Sequence, residues 1–213
     1  MISAFNIQHA NLGLRSASDL PVEQVVPTGW TALDAILPHG GIPRGRITEL
    51  QGPMMGGKLT LAQQLIKQIL AGGARAAYID LPCTFFPQHL AADRLLVARP
   101  RDWKHALRAA DILLASREWD LVAVDLTGHT HEVAPDACAR LARSAADSGA
   151  VALFLHDHPT RNLGGVVSLR LQVNRKITPG GRSLRIRITK NKLAAPERDV
   201  QIPLTIGGTL CAA

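Results

Sequence analysis

The sequence predicts an α/β domain with a mainly parallel β-sheet flanked by helices and an antiparallel hairpin as its C-terminal extension. Three observations carry this. Between Ile47 and Leu155, short apolar runs alternate with longer stretches of helical periodicity, the pattern of consecutive strand–helix units. A glycine-rich turn, Gly52 to Gly57, joins the first such strand to the first such helix. Past Gly165 the texture changes to strict apolar–polar alternation on both sides of Pro179-Gly180-Gly181, which reads as a hairpin.

Taken in order, residues 1–24 are weakly patterned and read as an N-terminal arm, leaving 25–213 as a single core domain. Ile47 to Gln51 is a short apolar strand. Lys58 to Ala71 places Leu61, Leu65, Ile66, Ile69 and Leu70 at helical spacing, and Gly72-Gly73 ends the helix. Ala76 to Asp80 is a second strand. Asp102 is placed to cap a helix running to about Arg117, with Ala106, Ala109, Ala110, Leu113 and Leu114 on its apolar side. Leu121 to Asp125 is a continuous apolar run ending in a carboxylate, as buried parallel strands do. A helix from Pro135 to Ser148 and a strand from Ala150 to Leu155 follow. In the hairpin, Leu169, Leu171 and Val173 alternate with Arg170, Gln172 and Asn174, and Leu184, Ile186 and Ile188 with Arg185 and Arg187. One face of it is therefore polar and basic.

Composition narrows the class. The 213 residues are 46% hydrophobic and 19% charged, which is globular rather than disordered. No apolar run reaches the length of a membrane span, and the N-terminus lacks a signal-peptide pattern. Cys83, Cys138 and Cys211 show no CxxC spacing, so neither a disulfide framework nor a zinc site is expected, and a cytoplasmic location is. The net charge of +7 is localised: Arg161 to Arg198 holds ten Lys or Arg and one acid, Glu197, whereas the remainder holds 14 basic and 16 acidic residues. Such a block suits an anionic partner (DNA, RNA or nucleotide phosphates) or else forms a solvated basic face.

Gly52-Pro53-Met54-Met55-Gly56-Gly57-Lys58-Leu59 fits the phosphate-loop pattern G-x-x-x-x-G-K but lacks its closing Ser or Thr. In such a loop the glycines let backbone N–H groups curl around phosphate oxygens, the helix N-terminus adds positive potential, and the lysine supplies a charge. The hydroxyl after the lysine binds magnesium. Leu59 cannot. Thr60 lies one residue on, where a helical step of about 100° is expected to turn it elsewhere. Asp125, at the end of an apolar strand, fits the acid that orients magnesium through water. Gly52, Gly56, Gly57, Lys58, Leu59, Thr60 and Asp125 are thus the candidate ATP-site residues, with ATP bound weakly or not at all and magnesium doubtful.

From Pro27 to Ile206 the residues resemble the RecA family. Thr28-Gly29-Trp30, Leu33-Asp34 and Gly40-Gly41-Ile42-Pro43-Arg44-Gly45-Arg46-Ile47-Thr48-Glu49 look like the RecA approach to its phosphate loop, and Lys190-Asn191-Lys192-Leu193-Ala194-Ala195-Pro196 is closely similar to a RecA signature. The resemblance implies a RecA-like nucleotide-binding core in which Lys190 and Lys192 reach a neighbouring subunit's ATP, if the chain self-associates in that way. It also exposes departures. In Tyr78-Ile79-Asp80-Leu81-Pro82, Pro82 stands where RecA carries the glutamate that activates water, and a proline accepts no proton. Leu155-His156-Asp157-His158 puts Asp157 where RecA has a phosphate-sensing amide; a carboxylate there repels phosphate unless a cation intervenes. The two DNA-binding loops of RecA, near 128–134 and 161–165 here, look short. Within the superfamily the chain is most similar to ImuA-type proteins of bacterial mutagenesis cassettes, through its short length, its altered loop, the Leu95-Leu96-Val97-Ala98-Arg99-Pro100 strand with the helix after it, and the Val124-Asp125-Leu126 strand end.

That resemblance implies an accessory role in damage-induced translesion DNA synthesis (an SOS-type response), with DNA, RecA and a Y-family polymerase-like protein as partners. The alternatives are a DNA-dependent ATPase of homologous recombination and a metal-dependent hydrolase. The DNA-binding candidates are Arg170, Arg175, Lys176, Arg182, Arg185 and Arg187, contacting phosphates without reading sequence. His129, His131, His156 and His158 form two H-x-H pairs beyond neighbouring strands, and with Asp125 and Asp157 they define a possible zinc-like cluster, against the simpler reading of loop histidines. Aromatic side chains are expected in packing, except that Phe85-Phe86 before Pro87 suggests an exposed docking pair.

Overall fold

A computed structural model describes residues 24–87, 90, 92–129, 133–158, 163–179, 181–193 and 198–204. The arm read at 1–24 lies outside these residues, apart from Gln24.

The strands predicted as buried apolar runs form the centre of the sheet. They are β3 (Ile47–Gln51), β4 (Ala76–Asp80), β6 (Leu121–Asp125) and β7 (Val151–His156), and every residue in them is buried. Burial on both faces is what makes their sequences continuously apolar rather than alternating. With β5 (Leu95–Ala98), β8 (Val167–Thr178), β9 (Gly181–Asn191) and β10 (Asp199–Leu204) they give the order β10-β9-β8-β3-β7-β6-β4-β5. The pairings from β8 to β5 are parallel, and the β8–β9 and β9–β10 pairings are antiparallel. A separate two-stranded ladder joins β1 (Val25–Val26) to β2 (Ile42–Pro43) ahead of β3, with the short helix α1 (Thr31–Asp34) between them.

Each sheet face has its own core. Helix α2 (Lys58–Ala71) buries Leu61, Leu65, Ile66, Ile69 and Leu70 against Leu50, Tyr78, Ala123, Leu153 and the apolar side of the hairpin. Helices α3 (Trp103–Ala115) and α4 (Pro135–Ser148) bury Ala106, Ala110, Leu114, Cys138, Leu141 and Ala145 against Ile79, Val124 and Phe154. Asp102 caps α3 as its position suggested, accepting from the His105 N–H.

The differences from the sequence reading are local. β7 starts and ends one residue later than read, which makes His156 a strand residue rather than a loop one. β1, β2 and β10 are short or edge strands with no apolar run to announce them. Phe85 and Phe86 part company. Phe85 is buried and stacks on Tyr78 with ring centroids 4.0 Å apart, while Phe86 is 66% exposed. The proposed docking pair is therefore one core residue and one surface residue.

Parallel strands bring their C-terminal ends to one edge of the sheet, where ligand sites of open α/β folds form. Gln51, His156, Asp125 and Asp80 end β3, β7, β6 and β4 at that edge.

Candidate nucleotide site

The loop from Gly52 to Gly57 leaves β3 and enters α2, as the motif requires. Two of its glycines, Gly52 and Gly57, are required by the hairpin that packs against the loop. A Cβ on Gly52 would stand 2.0 Å from the Val173 carbonyl oxygen, and one on Gly57, at φ 101°, would stand 2.3 Å from a methyl of Leu184. The loop borders a cavity of about 260 Å³ lined also by Leu59, Thr60, Pro82, Asp125, Thr127 and Arg175. Thr60 thus borders the cavity beside Leu59, contrary to the expectation that one helical step carries it away.

Lys58 is 4% exposed, and its ammonium is fully engaged. It donates to the carbonyl oxygens of Gly52 (2.6 Å) and Pro53 (3.0 Å) and to Asp157 Oδ1 (2.8 Å). An ammonium has three protons to donate, and all three are used within the chain. Asp157 Oδ2 accepts the Gly128 N–H at 2.6 Å. Burial pushes the Asp157 carboxyl up, but the hydrogen bonds from Lys58 and Gly128 and the Lys58 charge outweigh it and hold the carboxyl below its ordinary range. The cation that lets Asp157 sit beside a phosphate loop is the loop's own lysine.

Asp125 is also committed. Oδ2 accepts the Tyr78 hydroxyl at 2.7 Å and Oδ1 accepts the Thr127 N–H at 2.9 Å. Burial, reinforced by the Asp125 charge, raises the Tyr78 pKa well above its usual value and keeps the phenol a donor. Pro82 lines the cavity with no proton acceptor to offer. These residues provide a loop and a cavity of the kind that takes nucleotide phosphates. The position that normally binds magnesium directly offers it nothing, since Leu59 has no ligand atom; the oxygens left at the cavity include the Thr60 hydroxyl and an Asp125 carboxylate that already accepts two donors.

Next to this site, on the sheet face away from α2, lies a buried polar group that the sequence did not announce. Glu49 is fully buried and accepts from Arg170 Nε at 2.6 Å and from Gln51 at 3.3 Å. His156 is buried beside it, Nε2 lying 3.9 Å from Glu49 Oε1. Desolvation, opposed in part by Glu49, lowers the His156 pKa to about 4, so the ring is neutral at pH 7. Among the described residues the zinc-like cluster is not assembled. Asp157 is bound to Lys58, Asp125 to Tyr78, His156 faces Glu49, and His129 and His158 are exposed; His131 lies outside the described residues. Among the described residues no three His, Cys, Asp or Glu side chains stand together as metal ligands.

The basic candidates divide. Arg185 and Arg187 are exposed, in register with Asn174 and Gln172. Arg185 forms an ion pair with Asp199 of β10 (2.8 Å from Nε, 2.7 Å from Nη2). Lys176 and Arg182 are exposed near the hairpin tip. Arg170 is drawn inward onto Glu49, and Arg175 lines the cavity with its buried Nε lacking a hydrogen-bond partner among the described residues. Arg175 shares the odd-numbered side of β8 with Leu169, Leu171 and Val173, so alternation alone would have assigned it to the loop side. Lys190 and Lys192 donate to the carbonyl oxygens of Gly164 and Gly165 in their own chain, Lys192 at 2.7 Å. Burial and the neighbouring Lys192 and Arg170 charges lower the Lys190 pKa.

Comparison with known proteins places this geometry. The model of the RecA N-terminal domain matches residues 8–139. The chain belongs to the RecA family. Curated RecA proteins from Frankia casuarinae and Deinococcus radiodurans are 30% and 32% identical to it, over 88% and 92% of this chain and 67% and 66% of their own length. RecA of Thermus thermophilus is 30% identical over 89% of this chain and 69% of its own length. The chain thus spans about two thirds of these RecA proteins. Among solved structures, the RadB recombinase superposes with a TM-score of 0.68 at 20% identity, covering 84% of this chain and 96% of the other, which supports a RecA-like core with the antiparallel strands at its C-terminal end. Among the described residues of this RecA-family chain, no helix is long and apolar enough to cross a membrane.

Proposed function

We propose that this RecA-family chain is a DNA-repair accessory protein whose nucleotide site has lost its magnesium chemistry. It acts in damage-induced translesion synthesis, as its resemblance to ImuA-type proteins implies, by binding DNA, RecA and a Y-family polymerase-like partner. The observation that carries the reading is the state of the phosphate loop: Lys58 spends its three protons on Gly52, Pro53 and Asp157, and the adjoining positions are Leu59 and Pro82. RecA-like architecture kept while the hydrolytic parts are replaced fits a scaffold retained for its contacts. Lys176, Arg182, Arg185 and Arg187 supply the DNA-facing charge, whereas Arg170 is held by Glu49 and Arg175 lines the cavity, and Lys190 and Lys192 serve self-association.

The test is ATP turnover by the purified chain with and without magnesium and single-stranded DNA, run beside DNA binding at increasing salt. The expected result is no turnover together with DNA affinity that falls steeply with salt, as phosphate contacts do. Resemblance to recombination proteins favours a second reading, a DNA-dependent ATPase. It predicts DNA-stimulated turnover that Lys58→Ala abolishes, and that outcome would replace the accessory role.

A further inference from the structure

The partner of Lys58 deepens the reading of this loop as a nucleotide site. In a working phosphate loop the lysine keeps a donor for the ligand. Here that donor ends on a carboxylate of the same chain, 99 residues away in sequence. Two further features make this more than a surface ion pair. Lys58 and Asp157 are 4% and 17% exposed, so the charges see little water and attract strongly. The second carboxylate oxygen takes the Gly128 N–H, which ties the phosphate loop to the turn after β6 and the segment after β7. A carboxylate holding a lysine and a backbone N–H beside a Gly-rich turn reproduces the contacts a phosphate oxygen makes in such a loop.

We propose that Asp157 is a built-in competitor for the anion site of the phosphate loop, so that a nucleoside triphosphate binds this chain only by displacing the Asp157 carboxylate from Lys58 and Gly128. This rests on reading Gly52 to Lys58 as a phosphate site. A triphosphate entering the cavity meets a loop already neutralised by one carboxylate, and it gains Lys58 only as Asp157 leaves. Arg175 then joins Lys58 as a second cation, reaching the same cavity from β8. The ligand class is a polyphosphate whose hold on the loop does not depend on magnesium, because it rests on Lys58 and Arg175 and the position after the lysine is Leu59. Displacement frees Gly128 as well as Lys58, so occupancy of the loop is reported at the turn after β6.

The experiment compares ATP and inorganic tripolyphosphate binding by calorimetry, in EDTA, for the full chain and for its Asp157→Asn and Asp157→Ser variants. Asn keeps the shape but drops the charge and sets an amide against the Gly128 N–H; Ser removes the carboxylate outright. Either variant should bind both ligands at least tenfold more tightly than the unmodified chain, and adding Lys58→Ala should cancel the gain. Equal or weaker binding by folded variants overturns the proposal. Should both variants unfold, amide exchange of Gly128 in the unmodified chain decides: exposure on adding tripolyphosphate supports displacement, and unchanged protection overturns it. Turnover is read on the same proteins after exchange from EDTA into magnesium. Hydrolysis by the unmodified chain refutes the accessory reading whatever Asp157 does, whereas absent turnover with no gain in the variants refutes the competitor alone.

Discussion

Two ion pairs on this sheet involve an aspartate and a base of similar type, and they behave as opposites. Lys58–Asp157 lies at the C-terminal ends of the parallel strands at 4% and 17% exposure; Arg185–Asp199 lies on the antiparallel hairpin at 48% and 46%. The first pair has given up water, so each charge depends on the other and on backbone groups. The second keeps its solvent and loses little if broken. The lesson is that the phosphate-loop end of the chain satisfies its charges out of water, while on the hairpin the Arg185–Asp199 pair stays in solvent. The same inward habit appears at Glu49, Arg170 and His156.

The sharpest way to break the comparison is at Glu49. Arg170→Met should cost about 3–5 kcal/mol in urea unfolding, because it removes the cation paired with a buried carboxylate. Adding Glu49→Leu should recover most of that, and a small loss from Arg170→Met alone would show that water reaches the group. Next comes Asp157→Asn, expected to cost about 1.5–3 kcal/mol by removing hydrogen bonds to a charged partner. The folded-state pKa of Asp157 is lowered, so its contribution is present above the ordinary carboxylate range and is lost as pH falls through the lowered value. The deficit of the variant should therefore shrink in acid.

His156 titrates with a different sign of charge but the same slope. Its folded pKa of about 4 lies below the ordinary 6.5, so the unfolded chain takes the proton first as pH drops. Stability should fall by about 2 kcal/mol between pH 7 and pH 5, and His156→Gln should remove that slope in unfolding midpoints. The smallest effect belongs to the hairpin. Asp199→Asn should change stability by no more than about 1 kcal/mol, yet by freeing Arg185 it should tighten DNA binding and steepen its salt dependence. A loss of DNA affinity would place the contact surface elsewhere.

Much of the fold was legible because it depends on near neighbours in sequence. α2 and α4 begin and end where periodicity and glycine placed them, and β3, β4 and β6 coincide with their apolar runs. The site was legible in its parts but not in its pairings. The loop, Lys58 and Asp125 could be named from local pattern. The partnership of Lys58 with Asp157 spans 99 residues and that of Glu49 with Arg170 spans 121, and no local pattern encodes such contacts. The sequence placed Asp157 beside the phosphate loop as a carboxylate that repels phosphate unless a cation intervenes, but it did not show that the loop's own Lys58 is its partner. Phe85 and Phe86 were separated by packing on Tyr78, which the dipeptide does not show.

On the proposed reading, this RecA-family chain keeps a phosphate loop that works without magnesium. Calorimetric titration of ATP into the purified chain, once in magnesium and once in EDTA, tests it most directly. Weak binding is expected, the same in both, with no product formed during the titration. Binding that requires magnesium and is followed by release of phosphate would contradict it.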